Sequence, residues 1–444
     1  MLLTRRALTL LLITAVILAG TTFVPALGLV AALFGLGVAG LIIADYRLAL
    51  KPDDFSPTRT HDARLSLGAD NPVTITVDVR QPHTNARQTR WMAVRDEYPP
   101  EFAATNIAHD PSSAWVFRYT VRPPRRGDFR FGDVNLRWLG RFGLIIRQAS
   151  FSRGGDVKVY PNLLDIRRYE LLAKRGQLAE LGFRRVRLLG SGTEFERLRE
   201  YTLDDEFRHI DWNAMARRGK PITREYETER SQNIVVLLDA GRLMRSPVSA
   251  PTDMGQPLEK IDYAINATLM LAYVAGLRGD KVGILVFADD VRQYLAPKAG
   301  KGQFYRLLAL LYSLQPQPVE SSYARAVAYL KGKHTKRSLI VLFGDLAPGL
   351  GERAILSQVG LLSRQHVPLF VAVNDPAMIA LAQTPLTGST DVYRRAMAEQ
   401  VLNARALTLQ SLSHRGVDTL DVPADKLTVE VVNRYLEIKA RGRL

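Results

Sequence analysis

The first fifty residues limit what this chain can fold into more than any later stretch. Residues 7 to 24 and 26 to 44 contain no ionisable side chain. At about 1.5 Å of rise per residue, two helices of that length just cross a hydrocarbon core. Pro25 lies between them as a turn, so the pattern predicts a transmembrane helical hairpin over residues 1–51. Arg5 and Arg6 precede the first span and Arg47 and Lys51 follow the second, while the connection carries no basic residue. The positive-inside rule then puts both ends in the cytoplasm. A cleaved signal peptide would leave the second span as a stop-transfer segment and the remainder still cytoplasmic. A twin-arginine signal at Thr4-Arg5-Arg6 would export the body, but the second uncharged span follows without a spacer.

Composition narrows the chemistry. The 444 residues suffice for two or three domains, and with no cysteine they exclude disulfides, thiolate zinc sites and cysteine nucleophiles. Histidines at 61, 83, 109, 209, 334, 366 and 414 include no i, i+4 pair that would chelate zinc from one helix face. The net charge of +16 suits nucleic acid or an anionic membrane. Beside the hairpin, lipid is the simpler partner, and no aromatic-rich basic groove suggests nucleic acid. Gly35 to Gly40 spell GxGxxG, but inside an apolar span with no strand before it, so these glycines serve close helix packing rather than a dinucleotide. Arg126-Gly127-Asp128, on a cytoplasmic body, is a turn.

Residues 52–160 alternate apolar and polar positions between Gly, Pro and Asp breakers, as in "PVTITVDV" and "WVFRYTVRP". Half-buried antiparallel strands follow, with a small β-sandwich as the expected packing and Trp91, Trp115 and Trp138 in its core. Residues 161–230 form a connector in which acids and bases are dense and nearly balanced. Its plain reading is a solvated helix and hairpin laced by surface ion pairs. Phe195, Tyr201, Phe207, Trp212 and Tyr226 interleave with arginines, however, and guanidinium forks bind carboxylates and stack on rings.

The stretch "GSGTEFERLREYTLDDEFRHIDWNAMARRGKPITREYETE" resembles the signature of the domain of unknown function 58 family. Glu194, Phe195, Leu198, Arg199, Tyr201, Arg208, Ile210, Trp212, Ala216 and Arg217 carry the resemblance. The family's Gly-Asp after the tyrosine is absent, with Leu203-Asp204 or Asp204-Asp205 in its place. The resemblance implies a bacterial plasma-membrane protein with an N-terminal hairpin, a β-rich region and a von Willebrand factor A-like domain. It implies as partner a MoxR-type AAA+ ATPase alongside other membrane proteins; the Arg- and aromatic-rich connector is the expected docking surface, with Glu194, Phe195, Arg199, Tyr201, Arg208, Asp211, Trp212 and Arg217 as its binding residues.

Residues 231–444 alternate apolar strand runs at 233–239, 281–287, 338–343, 367–373 and 417–422 with helical patterns near 258–278, 301–315, 351–366, 390–413 and 426–440. That alternation predicts an α/β, Rossmann-like domain with a mainly parallel sheet covered on both faces. A-like domains hold Mg²⁺ with D-x-S-x-S after the first strand, a hydroxyl from a second loop and an Asp from a third, because the ion needs six hard oxygens. Here the first motif reads Asp239-Ala240-Gly241-Arg242-Leu243, without either serine. Ser321 or Ser322 and Asp345 complete a degenerate set that would hold at most a weakly bound, mostly hydrated Mg²⁺, and no other cofactor is expected. Arg242, beside the motif, is the expected replacement for the cation, pairing with Asp239 or Asp345.

No P-loop, HExxH or nucleophile elbow is present, so the leading expectation is a membrane-anchored adaptor or scaffold with no catalytic residues of its own. The competing class is a metal-dependent hydrolase or transferase using Asp204, Asp205, His209 and Asp211. A purely structural membrane scaffold, with no nucleotide-dependent partner, is the third.

Overall fold

A computed structural model describes residues 2–79, 91–109, 115–162, 168–169, 171, 194–202, 207, 210–227, 231–248, 258–346, 352–385 and 388–442. The chain divides into two compact units, Met1–Tyr160 and Pro161–Leu444.

The first unit opens with a short strand, β1 (Leu2–Leu3), and two helices, α1 (Arg5–Gly20) and α2 (Leu27–Leu48). Thr4 caps α1, its side chain accepting from Ala7 N. The predicted first span, 7 to 24, instead ends at Gly20. Thr21 and Thr22 there turn their hydroxyls back onto the carbonyls of Leu18 and Ala19, and Pro25 follows. At 16 residues α1 is about 24 Å long, short of a full hydrocarbon core. The apolar helix beginning at Leu27 is long and apolar enough to cross one. Leu12, Val16, Leu29, Leu33 and Leu36 are all more than 60 % exposed, an apolar surface that water does not favour. Gly35, from the GxGxxG stretch, faces α1: a Cβ there would lie 3.2 Å from Thr14, which agrees with the helix-packing reading.

The β-rich part comprises β2 (Phe55–His61), β3 (Arg64–Ser66), β4 (Asn71–Val79), β5 (Met92–Asp96), β6 (Ala103–Ala104), β7 (Ala108–His109), β8 (Val116–Arg122), β9 (Gly127–Phe131), β10 (Val134–Leu139), β11 (Ile145–Phe151) and β12 (Gly155–Tyr160). These strands form three sheets, β1-β11-β10-β5, β3-β12-β9 and β2-β4-β8-β6 with β7 on β8, where a two-sheet sandwich was expected. The β3–β12 pair is parallel. Trp138 is fully buried, donating from Nε1 to the Leu50 carbonyl at 3.1 Å, whereas Trp91 is 43 % exposed and outside the core. Arg126 is buried just before β9, and Gly127 and Asp128 are the first two residues of that strand, so the tripeptide enters a strand instead of forming the expected turn.

In the second unit, β13 (Glu194–Glu200) and β14 (Ile222–Glu227) pair antiparallel across a bulge, and α3 (Trp212–Arg218) lies between them in sequence. The helix-and-hairpin reading of the connector therefore holds over its described part. The main sheet has six strands in the order β19-β18-β15-β20-β21-β22. These are β15 (Asn233–Asp239), β18 (Lys281–Phe287), β19 (Val291–Lys298), β20 (Leu339–Gly344), β21 (Val367–Asn374) and β22 (Asp418–Pro423). A small hairpin, β16 (Pro247–Val248) with β17 (Leu258–Glu259), interrupts the first crossover. All five predicted strands are present and mutually parallel. The sixth, β19, adds antiparallel at the edge.

The helices are α4 (Lys260–Leu277), α5 (Lys301–Tyr312), α6 (Tyr323–Lys333), α7 (Glu352–Gly360), α8 (Pro376–Ala382), α9 (Ser389–His414) and α10 (Leu427–Ala440). The predicted helix 351–366 tightens into a 3₁₀ turn at Leu361–Arg364, and α6 and α8 were not predicted. Burial on both faces explains the unbroken apolar runs of β15, β18, β20 and β21. At the opposite end of the sheet, Asp280 is fully buried and receives Lys439 Nζ at 2.7 Å on each oxygen and the Tyr435 hydroxyl, tying α10 to the entrance of β18.

Candidate functional site at the carboxyl edge of the sheet

Parallel strands point their carboxyl ends at one edge, and Asp239 and Asp345 sit there at the ends of β15 and β20. Three loops are stitched together around them. Ala240 N donates to Phe287 O at 2.8 Å, Gln317 N to Ala240 O at 2.7 Å, Arg242 N to Val319 O at 2.9 Å and Ser322 N to Ala288 O at 2.7 Å. The shallow pocket they enclose is lined by Asp239, Arg242, Val319, Ser321, Tyr323 and Asp345, among others.

Asp239 is 2 % exposed and its acceptor positions are filled from within the protein. Ser321 Oγ and Gly241 N donate to Oδ1, the latter at 2.8 Å, and Tyr323 Oη donates to Oδ2 at 2.7 Å. Burial raises the Asp239 carboxyl above its ordinary pKa, against the opposing effect of these three donors, with Asp345 adding a smaller push upward. Tyr323 is likewise held protonated, by burial first and the adjacent carboxylate second.

Asp345 is satisfied differently. Lys260 Nζ reaches Oδ2 at 2.7 Å, Arg405 Nη1 reaches Oδ1 at 2.7 Å, and Leu346 N donates to Oδ1 at 2.9 Å. Arg405 also forks onto Asp421, with Nη2 at 3.0 Å and Nε at 3.1 Å. Burial works against the Arg405 charge, but the two carboxylates outweigh it and hold its pKa above the usual guanidinium value.

The three residues expected to ligate metal, Asp239, Ser321 and Asp345, thus line one pocket, but as a hydrogen-bonded pair and a separate ion pair. Among the described residues no group of three or more His, Cys, Asp or Glu is arranged to hold a metal ion. The position of the first lost serine explains part of this. A Cβ on Gly241 would lie 2.0 Å from Ser321 Oγ, so the Ser321 hydroxyl occupies the space that a residue-241 side chain would need. Ser322 instead caps α6, accepting from Arg325 N at 3.4 Å.

The expected role of Arg242 requires correction. It is exposed at the pocket rim, and the cations beside the acids are Lys260 and Arg405. Chain proximity favoured Arg242, whereas the crossovers bring in residues 21 and 166 positions from Asp239, at the start of α4 and in the middle of α9. Arg405 did leave a signal. It falls on the helical stripe with Ala398, Thr408, Leu409 and Leu412 that buries the core face of α9.

Of the connector residues, Asp211 spends its carboxylate as the cap of α3, accepting from Ala214 N at 3.0 Å. Trp212 is 57 % exposed and meets Phe207 edge-on at 5.5 Å, Arg217 is exposed, and Tyr201 is half-buried with its N bonded to Pro221 O. The side chains of Glu194, Phe195 and Arg199, and all of Arg208, Asp204, Asp205 and His209, lie outside the described residues.

Residues 197–402 match the family described as "Protein of unknown function DUF58". Uncharacterized protein YeaD of Bacillus subtilis (strain 168) is 26 % identical over 203 residues, covering 43 % of this chain, and the chain spans about half the length of that relative. Among solved structures, BatB from Bacteroides thetaiotaomicron is 14 % identical over 47 % of this chain and 99 % of its own, with a TM-score of 0.32. An aerotolerance-related membrane protein from Bacteroides fragilis is 18 % identical over 46 % and 98 %, with a TM-score of 0.30. The VWA domain of SpRpn10 is 12 % identical over 46 % and 94 %, with a TM-score of 0.31. The α/β architecture stands on the strand order described above, and residues 197–402, a little under half of the chain, match the DUF58 family model.

Proposed function

We propose that this protein is a membrane-anchored adaptor whose second unit, a von Willebrand factor A-like domain, recruits a partner protein through the carboxyl edge of its sheet and the exposed face of the connector. The observation that most favours it is the state of the two acids at that edge. Ser321, Tyr323, Lys260 and Arg405 already satisfy them, so the edge is a preformed surface that needs no ion to assemble, rimmed by exposed Arg242 and Glu320. In the first unit both helices meet the β-rich part at the same end, where Arg5, Arg6, Arg47 and Lys51 cluster, which supports a hairpin with its ends on the cytoplasmic side. The partner, on the family resemblance, is a MoxR-type AAA+ ATPase, which would supply the nucleotide hydrolysis.

The test is co-purification of the full chain in detergent with that ATPase, in ATP-analogue, ADP and nucleotide-free states, together with the ATPase rate. A nucleotide-dependent complex weakened by Arg242→Glu or Trp212→Ala is expected. Absence of a complex in every state, with an unchanged ATPase rate, would remove the adaptor reading. The hydrolase or transferase alternative would then rest on Asp204, Asp205 and His209, and turnover lost in Asp205→Ala and His209→Ala would establish it.

A further inference from the structure

The turn between β10 and β11 is built around a side chain from α2. Asp45, fully buried, accepts from Phe142 N at 2.7 Å, Leu144 N at 2.8 Å and Ile145 N at 3.1 Å. Gly140 makes room for it, since a Cβ there would lie 2.5 Å from the Asp45 carboxyl. From the other helix, Thr4 N donates to Leu144 O at 2.9 Å, Thr4 Oγ1 donates to Gly143 O at 2.8 Å, and β1 pairs with β11 in the register Leu2↔Ile146 and Leu3↔Ile145. The turn is therefore locked between the start of α1 and the end of α2.

That clamp fixes its depth. The uncharged run of α2 ends at Ala44, and Phe142 N is bonded to the next residue, so the turn lies within a few ångströms of where the hydrocarbon would end. At this level the turn exposes Arg141 and leaves Phe142 47 % exposed, among Arg5, Arg6, Arg47 and Lys51, all exposed. The buried Asp45 accepts hydrogen bonds from three backbone N–H groups of the turn, and among the described residues it forms no ion pair with these arginines. Exposed phenylalanine beside a basic cluster buries its apolar ring at the headgroup/acyl boundary, and guanidinium groups pair with phosphodiesters through their planar forks.

We infer that the β10–β11 turn is a membrane-interface element, with Phe142 seated at the headgroup boundary and Arg141, together with the basic residues at the helix ends, binding anionic phospholipid headgroups. This rests on the membrane-anchored reading above. It makes part of the β-rich region, rather than the helices alone, a contact with lipid.

The cysteine-free chain allows a direct test. Single-cysteine variants Phe142→Cys, Leu36→Cys and Asp156→Cys of the full chain are nitroxide-labelled and reconstituted in phosphatidylcholine, with or without phosphatidylserine. Spin-label accessibility to oxygen against a water-soluble nickel chelate then reports depth. The inference expects a several-fold higher oxygen-to-nickel ratio at 142 than at 156, rising with phosphatidylserine and losing that rise when Arg141→Glu is added. A site at 142 as water-accessible as 156 while Leu36 is immersed overturns the inference and spares the membrane reading. Immersion at 142 that ignores phosphatidylserine overturns the anionic-headgroup assignment. Water accessibility at Leu36 overturns the membrane reading and the inference together.

Discussion

Arg405→Met tests the assignment of the internal cations. Arg405 is 7 % exposed and bridges Asp345, 8 % exposed, to Asp421, 26 % exposed, so its removal leaves Asp345 paired with Lys260 and takes the guanidinium away from Asp421. Breaking one partner out of a buried pair costs about 3–5 kcal/mol, because the other charge stays desolvated without compensation. Methionine keeps most of the volume, so little of that cost is a cavity. Hydrogen-exchange mass spectrometry on the full chain reads the opening free energy of β20 and α9 directly, and both should fall by about that amount. Adding Asp421→Asn, which leaves the Lys260–Asp345 pair intact, removes the charge stranded by the loss of the guanidinium and should restore part of the loss, a coupling of about 1–3 kcal/mol. A single variant within about 1 kcal/mol of wild type, or a double variant less stable than the single, would refute the electrostatic account.

Burial raises the Asp239 pKa, so the folded state holds its proton more tightly than the unfolded chain. The associated stability is complete below the ordinary carboxylate value of about 4 and is lost as pH rises through the folded-state pKa. Asp239→Asn cannot ionise and should gain on wild type as pH rises from about 4 to about 8; a stability gap that stays constant or moves the other way contradicts this. Gly241→Ser should destabilise by about 1–3 kcal/mol through overlap with Ser321 Oγ, and Ser321→Ala in the same chain should relieve it, as urea titration would show. Asp45→Ala strands three backbone donors at about 1–3 kcal/mol each, so faster exchange at Phe142, Leu144 and Ile145 is expected, and unchanged protection there would discount the clamp. Calorimetric titration of the full chain with Mg²⁺ or Mn²⁺ should be flat, and heat that disappears in Asp239→Ala would restore the metal reading.

The parts of this fold legible in the sequence are those where one physical requirement dominates. Strands buried on both faces must be apolar throughout, so β15, β18, β20 and β21 stood out as unbroken runs. The edge strand β19 has no buried residue and carries Arg292, Gln293 and Lys298, so no such run marks it. The acids at the strand ends were legible because topology sends them to one edge. The identity of their counter-charges was not, since sequence reveals neighbours along the chain and Lys260 and Arg405 are neighbours only after two crossovers. Tyr323 was overlooked beside Ser321 and Ser322 for a related reason. A phenol fills Oδ2 of Asp239 only because α6 begins under that carboxylate, which no spacing rule encodes.

Gly241 also bears on which substitutions this sequence can accept in turn. A chain that regained serine at 241 would gain no ligand, because the new side chain would collide with the hydroxyl already seated on Asp239. To build an ion site, Ser321 must move, Tyr323 must release the second oxygen, Leu243 must become polar, and Lys260 and Arg405 must lose their charges without stranding Asp345 and Asp421. No one of these steps alone assembles the set of hard oxygens that an ion needs. The present arrangement is therefore several concerted replacements away from a metal-dependent one.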